Sequence, residues 1–295
     1  MTTDVGVIGL GTMGGAMARH LLGAGYRVLG RDVRPECADA FASAGGVPAS
    51  SPAEVAAGTD VIILSLPSVA AFQEVTEGPD GLTGAARPDQ VLIETSTLPL
   101  GVKERAHRLL GQRGAALLDC PISGTGAQMR TKDVAIYASG HPAALERVRP
   151  VLAAFSRGQF DLGEFGNGSR LKFVANLLVA THNAAAAEAL LVAQRAGLDL
   201  EATLRALTSG AGTSRMLEIR GPLMINGEYT DATMKVRTFA KDMDIIGHFA
   251  QTLGCPTPLF TLAAQLNLAA LAQGHADEDT ASVFAVLQQL AGSPG

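Results

Sequence analysis

Three stretches of the 295-residue chain place glycines and polar side chains at spacings that chemistry can use. The first reads Val5-Gly6-Val7-Ile8-Gly9-Leu10-Gly11-Thr12-Met13-Gly14, a G-x-G-x-x-G pattern that follows a short apolar run and opens a helical one. In such a strand–turn–helix, Gly9 permits the tight turn, Gly11 lets the backbone approach a pyrophosphate, and Gly14 lets the helix pack closely on the strand. The helix N-terminus then turns free N–H groups and the positive end of its dipole towards the phosphates. Asp32 stands 18 residues after Gly14, beyond the next apolar run, where a carboxylate meets the hydroxyls of an adenosine ribose. It would repel a 2′-phosphate, which favours NAD. Arg31 and Arg34 flank it and could grip such a phosphate, so NADP stays open. The alternative is a structural βα turn that holds no ligand.

The second stretch is Gly166-Asn167-Gly168-Ser169-Arg170-Leu171-Lys172-Phe173-Val174-Ala175-Asn176. Lys172 and Asn176 are four apart and so share a helical face. Burial of a lysine in an apolar helix disfavours the ammonium and lowers its pKa from about 10.4. Such an amine can exchange a proton with an alcohol oxygen near neutral pH, with Asn176 orienting the lysine or holding the same oxygen. The competing reading is a lysine that snorkels to water near the helix start. The third stretch is Asp119-Cys120-Pro121-Ile122-Ser123-Gly124-Thr125-Gly126-Ala127-Gln128. It follows an apolar run, and ligands of open α/β sheets sit beyond the carboxyl ends of the strands. The backbone N–H groups and two hydroxyls of Ser123, Gly124 and Thr125 suit a substrate carboxylate. An ordinary surface turn is the alternative.

These residues need a scaffold, and the pattern of the chain predicts one. Apolar runs of strand length occur at 5–9, 27–30, 61–66, 91–95, 115–119 and 134–138, with helical patterns at 13–22, 35–43 and 101–112 between several of them. That alternation predicts an α/β fold with a parallel, doubly wound sheet of Rossmann type, covered on both faces. Beyond about residue 168 helical periodicity alone remains, so an all-α C-terminal domain is expected. The division is placed at 1–163 and 164–295, at the glycine-rich turn 163–168. A long helix over about 169–195 opens the second part. It is apolar on most of its circumference, which predicts burial all round, against both domains or a second subunit. A homodimer or homotetramer follows.

Composition excludes other classes. Charged residues make up 17% of the chain and the net charge is −5. No basic stripe is present, which argues against nucleic-acid or membrane-surface partners. Cys37, Cys120 and Cys255 are widely spaced, so neither a disulfide framework nor a metal site is expected, and a cytoplasmic setting fits. The N-terminus lacks the basic region of a signal peptide. The apolar stretch 173–193 carries Asn176, His182, Asn183 and Glu188 and reads as a buried helix of a soluble protein. His182 reads as a core or interface residue, Cys120 as a small apolar filler. Lys103, Glu104, Arg105 and Arg108 read as a solvated helix face.

Taken together, the three stretches resemble the β-hydroxyacid dehydrogenase family, which includes 3-hydroxyisobutyrate dehydrogenase and tartronate semialdehyde reductase. The resemblance spans nearly the whole chain. Gly9-Leu10-Gly11-Thr12-Met13-Gly14 matches the family's GLGxMG, Asp119 to Gly124 its D-A-P-V-S-G substrate loop, and Gly166 to Asn176 its GxGxxxKxxxN helix. By that resemblance Lys172 takes the catalytic lysine's place. Lys241, in Ala240-Lys241-Asp242, lies near the cofactor, and Leu66-Pro67 and Ser96-Thr97 touch its nicotinamide half. Departures are Thr125 where a second glycine is usual, Cys120 for alanine, and Glu94 for a common aspartate. Thr125 narrows the pocket and adds a hydroxyl, so the substrate need not be the family's best-known ones.

The implied reaction is NAD(P)-dependent interconversion of a small β-hydroxy acid and its semialdehyde or keto form. Ser123 and the Gly124–Thr125 backbone would hold the substrate carboxylate, and Lys172 would move the proton. An imine-reductase-like enzyme and a non-catalytic dinucleotide binder on the same scaffold are the rivals. Relatives of both kinds generally lack the lysine. A phosphogluconate-type decarboxylating enzyme would be longer at the C-terminal end.

Overall fold

The computed structural model describes residues 4–292. Its first part is built on β1 (Val5–Ile8), β2 (Val28–Arg31), β3 (Val47–Pro48), β4 (Val61–Leu64), β5 (Val91–Glu94) and β6 (Ala116–Asp119). These form one parallel sheet in the order β3-β2-β1-β4-β5-β6. The order reverses between β1 and β4, so the crevice beyond the carboxyl ends of those strands is where such a sheet takes a ligand.

Side chains alternate across the strands. Val5, Val7, Val61, Ile63, Val91, Ile93 and Leu118 enter one apolar cluster, and Ile8, Ile62, Leu64, Leu92 and Leu117 enter the other. The first cluster is completed by α1 (Thr12–Gly23), α2 (Pro35–Ser43) through Phe41, and α8 (Pro142–Ala153). The second is completed by α3 (Pro52–Gly58), α4 (Val69–Glu77), α5 (Leu82–Ala85) and α6 (Leu100–Gly111). The doubly wound α/β expectation therefore holds.

The run at 134–138 departs from expectation. It forms β8 (Ala135–Ala138) outside the main sheet, antiparallel to β7 (Ile122–Ser123) and parallel to β9 (Gly158–Asp161). Pro121 follows β6 with no N–H to extend a ladder, and the Pro121 carbonyl instead accepts from Tyr137 N at 3.0 Å. Between β7 and β8 lies the short α7 (Gly126–Arg130).

α9 (Asn167–Arg195) follows, and the division between two compact units falls inside it, after Lys172. Among the described residues, helices then continue without strands: α10 (Leu200–Thr208), α11 (Arg215–Asn226), α12 (Val236–Thr252), α13 (Pro258–Ala272), a 3₁₀ turn (Thr280–Ser282) and α14 (Val283–Leu290). α9 has the length and composition of a membrane span. It also buries Lys172, Asn176 and Asn183, groups that hydrocarbon would not accommodate. Within the single chain α9 is not buried all round: Val174, Leu178 and Val192 are exposed. His182 is exposed as well, so it is no core residue.

The second unit is tied together by the fully buried Asp279. Its carboxylate accepts from Arg220 Nε at 3.1 Å, Thr233 N at 2.8 Å, Thr233 Oγ1 at 2.9 Å, Met234 N at 3.1 Å and Ala281 N at 3.0 Å. Arg220, on α11, is itself buried. Removing one partner of such a pair leaves an uncompensated interior charge. Asp279→Ala should therefore destabilise the helical unit by about 3–5 kcal/mol, seen as an earlier loss of helical circular dichroism in urea.

Candidate active site

The glycines of the first turn are demanded by close approach. Gly9 has φ +91°, and a Cβ there would lie 2.1 Å from the Ser65 carbonyl oxygen. A Cβ on Gly14 would lie 1.8 Å from the Gly9 carbonyl oxygen. Gly11 is the N-cap of α1 and offers no side chain to its first turn, so no side chain caps the N–H groups of Thr12, Met13 and Gly14. Asp32, just past β2, is 7% exposed and accepts from Leu10 N at 2.7 Å, Arg34 N at 2.9 Å and Arg34 Nε at 3.1 Å. Burial works against its charged form. The bonds from the Arg34 side chain, the Arg34 backbone and Leu10 N outweigh that, and hold the carboxyl below its ordinary range. A glycine cradle, an uncapped helix N-terminus and a fixed carboxylate together fit a dinucleotide.

Further along the same sheet edge, Leu66 N donates to Ser96 Oγ at 2.8 Å. This locks the loop after β4 to the loop after β5. Pro67 is exposed there and Thr97 half-buried.

The loop after β6 is more committed than its sequence shows. Gly124 has φ +145°. Thr125 caps α7 in a capping box: its Oγ1 accepts from Gln128 N at 3.3 Å, and its N–H donates to Gln128 Oε1 at 3.0 Å. The Thr125 N–H is thus used within the chain. The Thr125 hydroxyl keeps its own hydrogen available as a donor. This loop packs on the cofactor turn, since a Cβ at Gly126 would come 2.4 Å from Thr12 Cγ2. Cys120 is fully buried in the first cluster, and burial pushes its thiol far up, in keeping with a filler role.

Lys172 and Asn176 lie one turn apart on α9, 8% and 4% exposed. Lys172 therefore does not snorkel. Asn176 Nδ2 donates to Asp242 Oδ2 at 3.2 Å, and Asp242 pairs with Lys241 at 3.1 Å. Lys241 thus joins Asn176 through Asp242, a link that spacing alone did not disclose.

The first turn of α9 is fixed to the carboxyl end of β6. Ser169 N donates to Asp119 Oδ2 at 2.7 Å, Ser169 Oγ to Asp119 Oδ1 at 2.8 Å, and Gly168 N to Ser139 Oγ at 3.0 Å. A Cβ at Gly168 would lie 2.3 Å from the Tyr137 carbonyl oxygen and 2.6 Å from that of Asp119.

Beneath this junction lies a charged cluster that sequence reasoning misplaced. Lys103, expected on a solvated face, is fully buried. Its ammonium donates to Ser96 O at 2.7 Å, Asp119 Oδ1 at 2.9 Å and Ser169 Oγ at 3.0 Å. The buried Glu94 carboxylate is 3.9 Å away. α6 is amphipathic, with Ala106 and Leu110 buried beside Lys103, so Lys103 lies on its inward face. That periodicity was the available clue.

Site and sheet together define a dinucleotide-dependent oxidoreductase. Residues 4–164 match the NAD binding domain of 6-phosphogluconate dehydrogenase, and residues 166–287 the NAD-binding domain of NADP-dependent 3-hydroxyisobutyrate dehydrogenase. The L-threonate dehydrogenase of Cupriavidus necator is 36% identical over 287 residues, covering 97% of this chain and 96% of that protein. The NAD-dependent L-serine dehydrogenase of Pseudomonas aeruginosa is 31% identical over 294 residues, covering 97% of each. The structure of Mycobacterium tuberculosis 3-hydroxyisobutyrate dehydrogenase with L-serine superposes with a TM-score of 0.88 at 28% identity, over 98% of this chain and 100% of that one. The chain belongs to the 3-hydroxyisobutyrate dehydrogenase, or β-hydroxyacid dehydrogenase, family and is an NAD(P)-dependent enzyme acting on CH–OH.

Glu94 has a measurable consequence. Its Oε2 is buried without a hydrogen-bond partner, while its other oxygen accepts from Ser96 N. Burial raises its pKa from 4.5 to about 7, against the pull of Lys103 and Ser96. The folded state holds this proton more tightly than the unfolded state. The associated stability is therefore full below about pH 4.5 and lost as pH rises through about 7. Relative to Glu94→Gln, the native protein should lose several degrees of melting temperature across that window, read by differential scanning calorimetry.

Proposed function

We propose that the chain oxidises a hydroxyl of a small polyhydroxylated acid of the L-threonate type, with Lys172 as general base (general acid in reverse) and NAD as preferred cofactor. The observation that carries this reading is the burial of Lys172 and Asn176 on one face of α9, whose first turn is bound to Asp119, four residues before Ser123 in the substrate loop.

The residues assigned to the dinucleotide are Gly9, Leu10, Gly11, Thr12, Met13, Gly14, Asp32, Leu66, Pro67, Thr97 and Lys241. When bound, the dinucleotide supplies the hydride chemistry. Ser123, Gly124 and Thr125 hold the substrate carboxylate and a neighbouring hydroxyl. The neutral Lys172 amine takes the proton from the reacting alcohol, and Asn176 fixes the lysine or the same oxygen. Residues 1–163 form the dinucleotide part, and residues 164–295 the substrate and subunit-contact part of a cytoplasmic homodimer or homotetramer. The exposed Leu259, Leu262 and Leu268 of α13 support subunit contact, and the free thiols of Cys37, Cys120 and Cys255 support a reducing compartment.

Two features support NAD over NADP. Asp32 presents a carboxylate at the ribose position, and both neighbouring arginines are turned to it: Arg34 pairs with its carboxylate and Arg31 donates to its carbonyl. Neither guanidinium stands ready for a phosphate. The hydroxyls of Ser123 and Thr125 support a substrate richer in hydroxyls than 3-hydroxyisobutyrate. L-threonate is what the relative sharing 36% of its residues is named for.

L-threonate, L-serine and 3-hydroxyisobutyrate, each assayed with NAD⁺ and NADP⁺ by absorbance of the reduced cofactor, test this reading. Turnover should be fastest with L-threonate and NAD⁺, and fluorescence titration should show NADH binding more tightly than NADPH. Lys172→Ala should lower kcat by about 10²–10⁴ with the NADH Kd nearly unchanged. Comparable turnover in that variant would overturn the role of the lysine.

A further inference from the structure

A buried lysine away from the proposed proton path needs a reason. Taking an ammonium out of water costs several kcal/mol, and an apolar side chain of similar volume is often as good for stability. Lys103 is fully buried nonetheless. Each of its three N–H groups has one acceptor: Ser96 O, Asp119 Oδ1 and Ser169 Oγ, all within 3.0 Å. Those acceptors lie on three different segments. Ser96 belongs to the loop after β5 and holds the Leu66 loop through its hydroxyl. Asp119 ends β6 and leads into the substrate loop. Ser169 is in the first turn of α9, one turn before Lys172.

We infer that Lys103 is a positioning residue for the reaction. Its ammonium ties the loop after β5, the start of the substrate loop and the first turn of α9 together, and so sets the direction in which Lys172 projects. The inference rests on the reading of Lys172 as acid/base. Asp119 carries the coupling, because one of its oxygens meets Lys103 while the other receives Ser169 N. Ser169 and Lys172 are three apart on the helix and neighbours on its surface. Fixing the hydroxyl of one fixes the rotation of the other. The buried Glu94 carboxyl, 3.9 Å from the ammonium, borders the cluster without a direct bond.

Lys103→Met removes the three bonds and the charge while keeping an apolar stem, and Ser169→Ala removes only one hydroxyl. Each variant is compared with the native enzyme on the fastest hydroxy acid of the screen above, for kcat, KM and the NADH Kd. Independently of turnover, the pH dependence of Lys172 acetylation by trace acetic anhydride is followed by peptide mass spectrometry. Lys103→Met should lose about 100-fold in kcat, as expected for a misplacement of about 1 Å, with KM and the NADH Kd little changed and a shifted Lys172 acetylation profile. Ser169→Ala should move both quantities in the same direction by less, and decides the matter if Lys103→Met does not fold. A native Lys172 profile in a folded variant overturns the inference, whether kcat is native or falls together with NADH binding. Should Lys172→Ala stay active, the acid/base reading fails by itself, and the acetylation profile still reports on positioning.

Discussion

The arrangement depends on how the first turn of α9 is fastened to the end of β6. A helix start has N–H groups without intrahelical partners, and burial makes leaving them unpaired costly. Here the Asp119 carboxylate receives Ser169 N and the Ser139 hydroxyl receives Gly168 N, so a neighbouring strand and the segment after β8 supply the cap that the helix lacks in its own sequence. The absent side chain of Gly168 lets the backbones close to that distance. Everything proposed for Lys172 follows from this seat, because the lysine is one turn away on a continuous helix.

Two carboxyl groups at the carboxyl edge of the sheet sit in opposed electrostatic settings. Beyond β2, where the ribose is proposed to lie, a carboxylate stays charged. Asp32 does so through N–H donors from Leu10 and Arg34 that outweigh its burial. At the other end Glu94 has only the Ser96 N–H and a distant ammonium, so burial dominates and the acid form is favoured up to about pH 7. The difference is one of burial and donor count, not of residue type.

Much of this was legible in the sequence. Glycines that cannot carry a Cβ announce themselves by spacing, and the apolar runs of strand length between helical patterns placed the five longer strands of the parallel sheet. The short pieces were not legible. Val47–Pro48 and Ile122–Ser123 are two-residue strands, too brief to show a period. Lys103 was misread because a charged residue on a helix is ordinarily solvated. Its partners Asp119 and Ser169 are 16 and 66 residues away, and only the folded chain brings them together. The same holds for Asn176 and Asp242, also 66 apart. The residues assigned to the site were chosen from motifs, and the polar groups that hold them in place have none.

The capping box at Thr125 gives this one side chain two duties. Its hydroxyl and N–H start α7, and the same residue belongs to the loop proposed to meet the substrate. A glycine there would widen the loop and remove the acceptor of the Gln128 N–H, while the backbone N–H of residue 125 could still meet Gln128 Oε1. Loop width and loop order are therefore not separable at this position. A roomier loop at 125 would need another acceptor for the Gln128 N–H at the start of α7.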